Sequence, residues 1–314
     1  CYCLGQDHLI ISTRRKRLLA FCTVAQFRVT CMKASKIHSK TVLVTGCSSG
    51  IGEGIANCLR EVGWDVFPTA RSDSDLQKLY SRGFDALRLD LSDSISIDNC
   101  VSSLMRKTPL GIGAIVNNAG IAIPGAVEDL TRDNLRAQFE VNVFGLQELT
   151  NKLVPIFRDQ GWGRIVNISS IYGILTAPMV GGYCASKYAL EALSIALRME
   201  LRNSGISVSL VEPGPILSRF RGNAYESLRK KISKEDYFYS EYKKTLKRKL
   251  GKSQKNKLFT LRPEHVAEKV VHALTSDRPK RRYLVTYLAH AGYIMSRVLP
   301  DFAIDYFMKK SVNF

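Results

Sequence analysis

Residues 41–52 have the sequence TVLVTGCSSGIG, in which a short apolar run leads into a turn with three glycines. The apolar run is too short for a helix and predicts a buried β-strand. A helix pattern follows over 52–61, so the glycines lie between a strand and a helix. Glycines at such a turn let the backbone approach a pyrophosphate, whose charge the helix N-terminus stabilises. A tight connection without a ligand is the alternative, but the strand–turn–helix order favours a cofactor site.

Strand and helix patterns alternate along the rest of the chain. Further strands are predicted at 64–70, 87–91, 114–116, 163–170, 206–211 and 283–286, and the helices between them include 94–107, 131–157, 183–202 and 261–276. Regular alternation of this kind is typical of a parallel, doubly wound sheet. We therefore predict a single α/β domain over residues 39–286, with seven strands flanked by helices.

The end of the second predicted strand bears on the choice of cofactor. In a dinucleotide-binding fold, an acidic residue here would hold the ribose 2′-hydroxyl of NAD. The chain instead has Ala70 followed by Arg71, and a guanidinium can pair with a 2′-phosphate. Asp73 and Asp75 are expected in the first turn of the next helix, where acids are favoured. This pattern predicts NADP over NAD. Asp90, after the third strand, either caps a helix or lies against the adenine.

Tyr183 and Lys187 are four residues apart, so on a helix they lie one turn from each other on the same face. A nearby ammonium favours the phenolate and is expected to lower the pKa of the phenol from about 10. Ser170, at the end of the fifth strand, would place a hydroxyl beside it. This set suits proton transfer at a carbonyl or alcohol oxygen. A surface pair on a helix is the alternative. Asn142, among apolar residues, is a buried structural hydrogen-bonder or a proton-relay member.

Five ordered motifs together resemble the short-chain dehydrogenase/reductase family. They are TGCSSGIG at 45–52, NNAG at 117–120, Asn142, the set of Ser170, Tyr183 and Lys187, and PGPILS at 213–218. The resemblance covers about residues 39–285. It implies a Rossmann fold and hydride transfer between a nicotinamide and a carbonyl or alcohol carbon.

The resemblance also implies residue roles. Tyr183 would be the acid in reduction and the base in oxidation, and Lys187 would lower its pKa and hold the nicotinamide ribose. Ser170 would position the substrate oxygen, and Asn142 would link Lys187 to solvent. One departure is that Ser49 is not basic, so the NADP preference depends on Arg71. Cofactor contacts are expected from Thr45, Gly46, Ser48, Ser49, Gly50, Ile51, Gly52, Arg71, Asp90, Leu91, Asn118, Ala119, Gly120, Tyr183, Lys187, Pro213, Gly214, Ile216 and Ser218.

The helix sequence YCASKYALEALSIALRMEL at 183–201 is similar to the branch with retinol-, 17β-hydroxysteroid- and acyl-dihydroxyacetone-phosphate-type reductases. That resemblance implies an apolar or lipid-like alcohol or carbonyl substrate. A non-catalytic NADP-binding sensor or scaffold with the same fold is the alternative. The complete set of Asn142, Ser170, Tyr183 and Lys187 argues against it. Homodimers or homotetramers are common in the family.

The net charge of +18 is concentrated in two segments. Residues 1–40 contain eight Lys or Arg and one Asp, and residues 221–257 contain thirteen Lys or Arg and four acids. No nucleic-acid motif accompanies them, so no nucleic-acid partner is expected. Residues 219–260 occupy the position of a substrate lid in the family. This basic lid is either a solvated amphipathic pair of helices or a surface for anionic headgroups or a phosphorylated substrate.

The cysteines and the two termini complete the sequence prediction. Eight cysteines at irregular spacing form no C-x-x-C pair and have no accompanying His cluster, so we expect no metal site and a reducing, cytoplasmic location. Residues 1–38 are predicted to be a poorly structured or non-native extension, with Met32 the natural start and a targeting role the alternative. Residues 287–314 are amphipathic. We expect them to close the pocket; packing on a second subunit and lying in a membrane surface are the alternatives.

Overall fold

The computed structural model describes residues 36–250 and 259–312, and it contains a seven-stranded sheet. The strand order is β3-β2-β1-β4-β5-β6-β7, and every neighbouring pair is parallel. This confirms the predicted Rossmann-type fold. The strands are β1 (Thr41–Val44), β2 (Asp65–Ala70), β3 (Leu87–Arg88), β4 (Ala114–Asn117), β5 (Gly163–Ile168), β6 (Ile206–Glu212) and β7 (Arg282–Leu284).

Helices connect the strands and extend the chain beyond β7. They are α1 (Gly50–Glu61), α2 (Asp73–Ser81), α3 (Ser94–Lys107), α4 (Arg132–Phe139), α5 (Leu146–Gln160), α6 (Gly181–Glu200), α7 (Phe220–Lys231), α8 (Tyr239–Leu250), α9 (Pro263–Thr275), α10 (Tyr287–Val298) and α11 (Asp301–Val312). Several begin at polar caps: the side chains of Ser72, Asp93, Thr131 and Thr286 each accept a hydrogen bond from a backbone N–H in the first turn. Pro263 begins α9, a position where proline is well tolerated because its missing N–H would have no partner in the helix.

Two hydrophobic layers cover the two faces of the sheet. Val42 and Val44 of β1 face a layer that contains α1 and α9. Leu43 points to the opposite face, where α3 and α5 contribute residues such as Leu153 and Phe157. All three β1 residues are fully buried, as expected for a parallel strand covered on both sides.

The long helix predicted at 131–157 is interrupted in the structure. A π-helical turn, Glu140–Gly145, separates α4 from α5. Gly145 packs so closely on the chain after β3 that an added Cβ would overlap the carbonyl oxygen of Leu91. The π-turn also buries Asn142 completely. A period of 3.6 residues cannot reveal one extra residue in a turn, so the sequence pattern missed this feature.

The third strand is shorter than predicted and ends at Arg88. Beyond it, Asp90 Oδ1 accepts hydrogen bonds from the backbone N–H and the hydroxyl of Ser92, which turns the chain away from the sheet. Asp93, rather than Asp90, caps α3. The capping alternative for Asp90 is therefore wrong.

The terminal predictions fall partly outside the described residues. Residues 1–35, where most of the predicted N-terminal extension lies, are not among them, and neither are 251–258 of the predicted lid. The predicted C-terminal extension forms α10 and α11, which are separated at Pro300. Among the described residues, no helix is both long enough and apolar enough to cross a membrane.

The buried face of α5 gives a direct test of this core. Leu153 is fully buried between α5 and the sheet, whereas Leu110 is 87% exposed in a loop. We expect Leu153→Ala to lower the free energy of unfolding by about 2–5 kcal/mol, because it removes buried methyl groups and leaves a cavity. Leu110→Ala should change it by less than about 0.5 kcal/mol. Urea unfolding measures both free energies. Equal decreases in the free energy of unfolding for the two variants would contradict this description of the core.

Candidate active site

A cleft of about 680 Å³ lies at the carboxyl ends of the strands. It opens beside β1 and β4, where the strand order reverses, which is the usual ligand position in an open parallel sheet. Most residues predicted for the site line this cleft: Gly46, Ser48, Ser49, Ile51, Gly52, Arg71, Asp90, Leu91, Asn118, Ala119, Gly120, Ser170, Tyr183, Lys187, Pro213, Gly214, Ile216 and Ser218. Three predicted residues, Thr45, Gly50 and Asn142, are not part of its lining.

The glycine turn between β1 and α1 is shaped by close backbone contacts. Gly46 and Gly50 have φ angles of 73° and 66°, a region that favours glycine. At Gly52, an added Cβ would overlap the Gly46 carbonyl oxygen and lie 2.5 Å from Asn118 Nδ2. Ser49 precedes α1 but does not cap it with its side chain, so the first N–H groups of the helix have no side-chain acceptor there. Such a helix end suits a phosphate group.

Thr45 and Asn118 hold this turn in place through hydrogen bonds. Thr45 Oγ1 accepts hydrogen bonds of 2.9 Å from the N–H groups of Asn118 and Ala119. Asn118 Nδ2 donates to the carbonyl oxygens of Thr45 at 2.9 Å and Gly46 at 3.1 Å. Because Thr45 is fully buried, it shapes the turn rather than facing the cleft.

Arg71 and Asp90 face each other at the end of the cleft formed by β2 and β3. The distance from Arg71 Nε to Asp90 Oδ2 is 3.9 Å, and the Arg71 side chain is 72% exposed. Burial tends to raise the pKa of Asp90, but hydrogen bonds from Ser92 and the charge of Arg71 lower it overall. Asp73 and Asp75 lie in the first turn of α2, as predicted. Arg71 is therefore accessible to an anionic group, although a carboxylate already lies beside it.

Tyr183, Lys187 and Ser170 come together at the centre of the cleft. Tyr183 and Lys187 lie on successive turns of α6, and Lys187 Nζ is 5.9 Å from the centre of the Tyr183 ring. Lys187 Nζ donates a 2.8 Å hydrogen bond to the carbonyl oxygen of Ile168, at the end of β5. The Ser170 and Tyr183 side chains both line the cleft, and the Ser170 hydroxyl is close enough to lower the pKa of the phenol. All three side chains are at least nine-tenths buried.

Asn142 lies behind this group, and its amide is occupied by protein atoms. Its Nδ2 donates to the carbonyl oxygen of Ile121 at 2.9 Å and to Ser186 Oγ at 3.0 Å. Its Oδ1 accepts from the Ile121 N–H at 2.9 Å. These contacts support the structural alternative, in which Asn142 fixes the loop after β4 against α6.

Burial controls the protonation of the central groups. It raises the pKa of the Tyr183 phenol, and the hydrogen bond with Ser170 opposes this effect only in part. Burial also lowers the pKa of Lys187 to about 8, against the charge of Glu191. The sequence predicted a lowered pKa for Tyr183, whereas the Tyr183 pKa in the structure is raised. The physical reason is that desolvation outweighs a cation that lies over the ring and bonds to a backbone carbonyl.

Several cleft residues escaped sequence reasoning, among them Tyr172, Met179 and Phe220. The Phe220 and Tyr172 rings lie 5.6 Å and 6.4 Å from the Tyr183 ring, measured between centres. Met179 has a φ angle of 66°, which is uncommon for a side chain of this size. None of these three lies in a motif, and the only available signal was that Phe220 falls within the predicted lid, residues 219–260.

The lid and the C-terminal helices contribute unequally to the cleft. Tyr225 and Leu228 of α7 and Tyr242 of α8 line it. The Tyr242 hydroxyl accepts a 2.7 Å hydrogen bond from the Ala126 N–H and donates to Asp129, which anchors the lid. Among the described residues, none of α10 or α11 lines the cleft, so the prediction that this segment closes the pocket is wrong. Instead α10 packs through Gly292 on Ile171 and Leu175.

No metal site is evident in the described part of the chain, which contains no group of three or more His, Cys, Asp or Glu side chains that could hold an ion.

The chain belongs to the short-chain dehydrogenase family, because the model of that family, described as "short chain dehydrogenase", matches residues 40–229. It is therefore an oxidoreductase of the class that binds a nicotinamide cofactor. The fold agrees: a crystal structure of a short-chain dehydrogenase from Streptomyces avermitilis superimposes with a TM-score of 0.69 at 29% identity, covering 88% of this chain and 97% of the other.

Three relatives illustrate what the chain is similar to. The uncharacterized oxidoreductase YbbO of Escherichia coli strain K12 is 38% identical, over 88% of this chain and 97% of the relative. The NADPH-dependent 3-dehydrocapnine reductase of Ornithobacterium rhinotracheale is 33% identical, over 86% and 96%. Retinol dehydrogenase 16 of Rattus norvegicus is also 33% identical, over 86% and 88%.

The packing at Gly52 predicts a specific loss of cofactor binding. We expect Gly52→Ala to reduce nicotinamide dinucleotide affinity at least about tenfold, because its methyl group must displace the Gly46 carbonyl or Asn118. The measurement is fluorescence titration with NADPH and NADH, with thermal unfolding to check the fold. Gly222→Ala, where an added Cβ meets no atom within 4 Å, is the matched control. Unchanged affinity in Gly52→Ala would contradict the proposed role of the turn.

Proposed function

We propose that the protein is an NADP(H)-dependent carbonyl reductase or alcohol dehydrogenase that acts on an apolar, lipid-like substrate such as a retinoid, steroid, aldehyde or keto-lipid. The observation that carries this proposal is the convergence of the Ser170 and Tyr183 side chains in one cleft, with Lys187 Nζ 5.9 Å from the centre of the Tyr183 ring. Two hydroxyls and an ammonium suit stabilisation and protonation of a carbonyl oxygen.

The proposed roles follow from protonation. The nicotinamide, when bound, supplies or accepts the hydride. Tyr183 donates its Oη proton to the substrate oxygen, and its raised pKa keeps the phenol protonated at neutral pH, which suits the reductive direction. Ser170 Oγ holds the same oxygen. Lys187, with a pKa of about 8, is mainly an ammonium at neutral pH and is placed to hold ribose hydroxyls. Asn142 keeps the surrounding backbone in position.

The preference for NADP is supported by Arg71 and by the uncharged residue before it. A guanidinium that is largely exposed can pair with a 2′-phosphate, whereas Ala70 offers no carboxylate to a ribose hydroxyl. The Ornithobacterium rhinotracheale relative is named as NADPH-dependent. Asp90, 3.9 Å from Arg71, opposes the preference, because it competes for the guanidinium. Direct measurement of both cofactors therefore decides this point.

The apolar substrate class is supported by the lining on the lid side of the cleft. The rings of Tyr172 and Phe220 lie beside Tyr183, and Met179, Leu228 and Tyr242 continue the apolar wall. The rat relative is named retinol dehydrogenase 16. The basic side chains Arg229, Lys230 and Lys231 at the end of α7 are exposed to solvent. Their exposure supports the interpretation of the lid as a solvated amphipathic pair of helices.

Location and assembly are also proposals. We propose a cytoplasmic protein, since the four cysteines of the described residues, Cys47, Cys58, Cys100 and Cys184, are all free thiols, as is usual in a reducing compartment. A homodimer or homotetramer is proposed from the family resemblance. A membrane-surface contact is supported by Tyr287, Ile294 and Val298, which expose an apolar face of α10.

Removal of one hydroxyl tests the proposed reaction. We expect Tyr183→Phe to lower kcat/KM for carbonyl reduction with NADPH by about 10²–10⁴-fold, because the proton donor is lost, while NADPH affinity changes little. Aldehydes, retinaldehyde, keto-steroids and a keto-lipid phosphate form the substrate panel. Tyr188→Phe, on the exposed side of the same helix, is the control. Binding of NADPH by the native protein without turnover of any substrate would favour the sensor or scaffold alternative.

The cofactor preference has its own test. We expect Arg71→Ser to raise the KM for NADPH about tenfold or more and to leave the KM for NADH nearly unchanged, because only NADPH carries the 2′-phosphate. Arg106→Ser is the matched control. Arg106 is an exposed arginine on α3 that bonds to Ser103, so this variant removes the same charge at another position. A native protein that uses NADH better than NADPH would overturn the NADP proposal.

A further inference from the structure

A buried ionic cluster joins α6, which carries Tyr183 and Lys187, to β6 and β7. It consists of Glu191 on α6, Glu212 at the end of β6 and Arg282 at the start of β7. Arg282 Nη1 lies 2.7 Å from Glu191 Oε2 and also contacts Glu212 Oε1. Glu212 is fully buried and Glu191 is 5% exposed. We call these three residues the Glu–Glu–Arg cluster.

The cluster also reaches the end of β5. The hydroxyl of Ser169, which precedes Ser170 and lines the cleft, lies near the Glu191 carboxylate. Gly173 permits this approach, because an added Cβ would lie 2.7 Å from Ser169 Oγ and 3.3 Å from Glu191 Oε1. Glu212 is directly followed by Pro213 and the segment that lines the cleft. The cluster therefore connects α6, β5 and β6 immediately behind the site.

Two carboxylates share one guanidinium in this cluster. Among the described residues, both oxygens of Glu191 and Oε2 of Glu212 have no aligned hydrogen-bond donor. Burial and the charge of Glu191 raise the pKa of Glu212, and burial raises that of Glu191. Two buried like charges this close do not both ionise readily. We expect the pair to retain one proton, mainly on the more deeply buried Glu212, while Glu191 stays charged against Arg282.

Glu191 is the charged neighbour of Lys187. It follows Lys187 by one helical turn, and its charge opposes the lowering of the Lys187 pKa by burial. Tyr183 lies one turn before Lys187 on the same helix. In the described structure, β5 contributes the Ile168 carbonyl to Lys187 Nζ, and Asn142 of the π-turn lies nearby; neither of them titrates.

We propose that the Glu–Glu–Arg cluster is a positioning cluster, in which Glu191 is the counter-ion that keeps Lys187 protonated and Glu212 and Arg282 hold that carboxylate in place. The cluster does not touch substrate and acts through Lys187. Its effect on turnover rests on the proposed function, but its effect on the charge of Lys187 does not. The two effects can therefore be measured separately.

The first measurement is the pKa of Lys187 itself. Nuclear magnetic resonance of isotope-labelled lysine side chains would follow its titration, with the signal assigned by its loss in Lys187→Met. We expect Glu191→Gln to lower the Lys187 pKa by about one unit, because it removes the nearest opposite charge. Glu191→Asp, which keeps the charge, should restore most of the native value. Glu200→Gln, an exposed position on the same helix, is the matched control. An equal Lys187 pKa in Glu191→Gln and the native protein overturns the proposal.

The second measurement is the pH profile of kcat/KM for NADPH-dependent reduction. If Lys187 must be charged, kcat/KM decreases as pH rises through the Lys187 pKa. In Glu191→Gln this decrease should begin at a lower pH, displaced by the same amount as the Lys187 pKa. A uniform loss of activity with an unmoved limb would indicate a merely structural role and contradict the proposal. If the Lys187 pKa shifts but no carbonyl is reduced by any variant, the proposed function fails and the counter-ion inference stands.

Glu212→Gln gives a separate test that requires no activity and does not depend on folding of Glu191→Gln. A raised pKa means that folded Glu212 holds a proton that the unfolded chain loses near pH 4.5. This contribution to stability is complete below that pH and is lost as pH rises through the folded-state pKa. The melting temperature of the native protein should therefore decrease more steeply with pH than that of Glu212→Gln. If the melting temperatures of the native protein and of Glu212→Gln change with pH in parallel, the Glu191–Glu212 pair holds no proton. That result would overturn the assignment of a proton to Glu212.

Discussion

The structure depends on a close backbone contact between the turn after β1 and the end of β4. Thr45 Oγ1 accepts two N–H groups from the second strand end, and the Asn118 amide returns two hydrogen bonds to the turn. Only a glycine at position 52 leaves space for this exchange. The contact lies where the strand order reverses, so it sets the floor of the cleft and the direction of α1 together.

Desolvation then dominates the electrostatics of the site. Tyr183 and Glu212 have raised pKa values and Lys187 has a lowered one, and burial is the largest cause in each case. Each of these three shifts disfavours charge, as expected where water is excluded. A site of this kind holds a proton on the phenol at neutral pH. It also gives one buried carboxylate, Glu191, a large influence on the lysine next to it.

The two sides of the cleft have different origins. The polar side, or floor, is formed by strand ends and tight turns, whose geometry is fixed by the sheet. The apolar side, or roof, is formed by the lid helices. The roof comes from α7 and α8, which are anchored through the Tyr242 hydroxyl on Ala126 and Asp129. Arg229, Lys230 and Lys231 at the end of α7 remain in solvent, while Phe220, Arg221 and Leu228 line the cleft. The same helix therefore presents basic side chains to solvent at its end and a mainly apolar surface with one arginine to the cleft.

The sequence by itself determined the alternating strands and helices, the parallel sheet and the motif residues, most of which line the cleft. It could do so because strand periodicity, glycine turns and one-turn helix spacing are local properties. Tertiary structure alone decided the π-turn that buries Asn142, the contact of Arg71 with Asp90 and the direction of the Tyr183 pKa shift. It also decided that the C-terminal helices stay outside the cleft and that Glu191 meets two distant residues. These features depend on burial and on contacts between residues far apart in the chain, which no local pattern encodes.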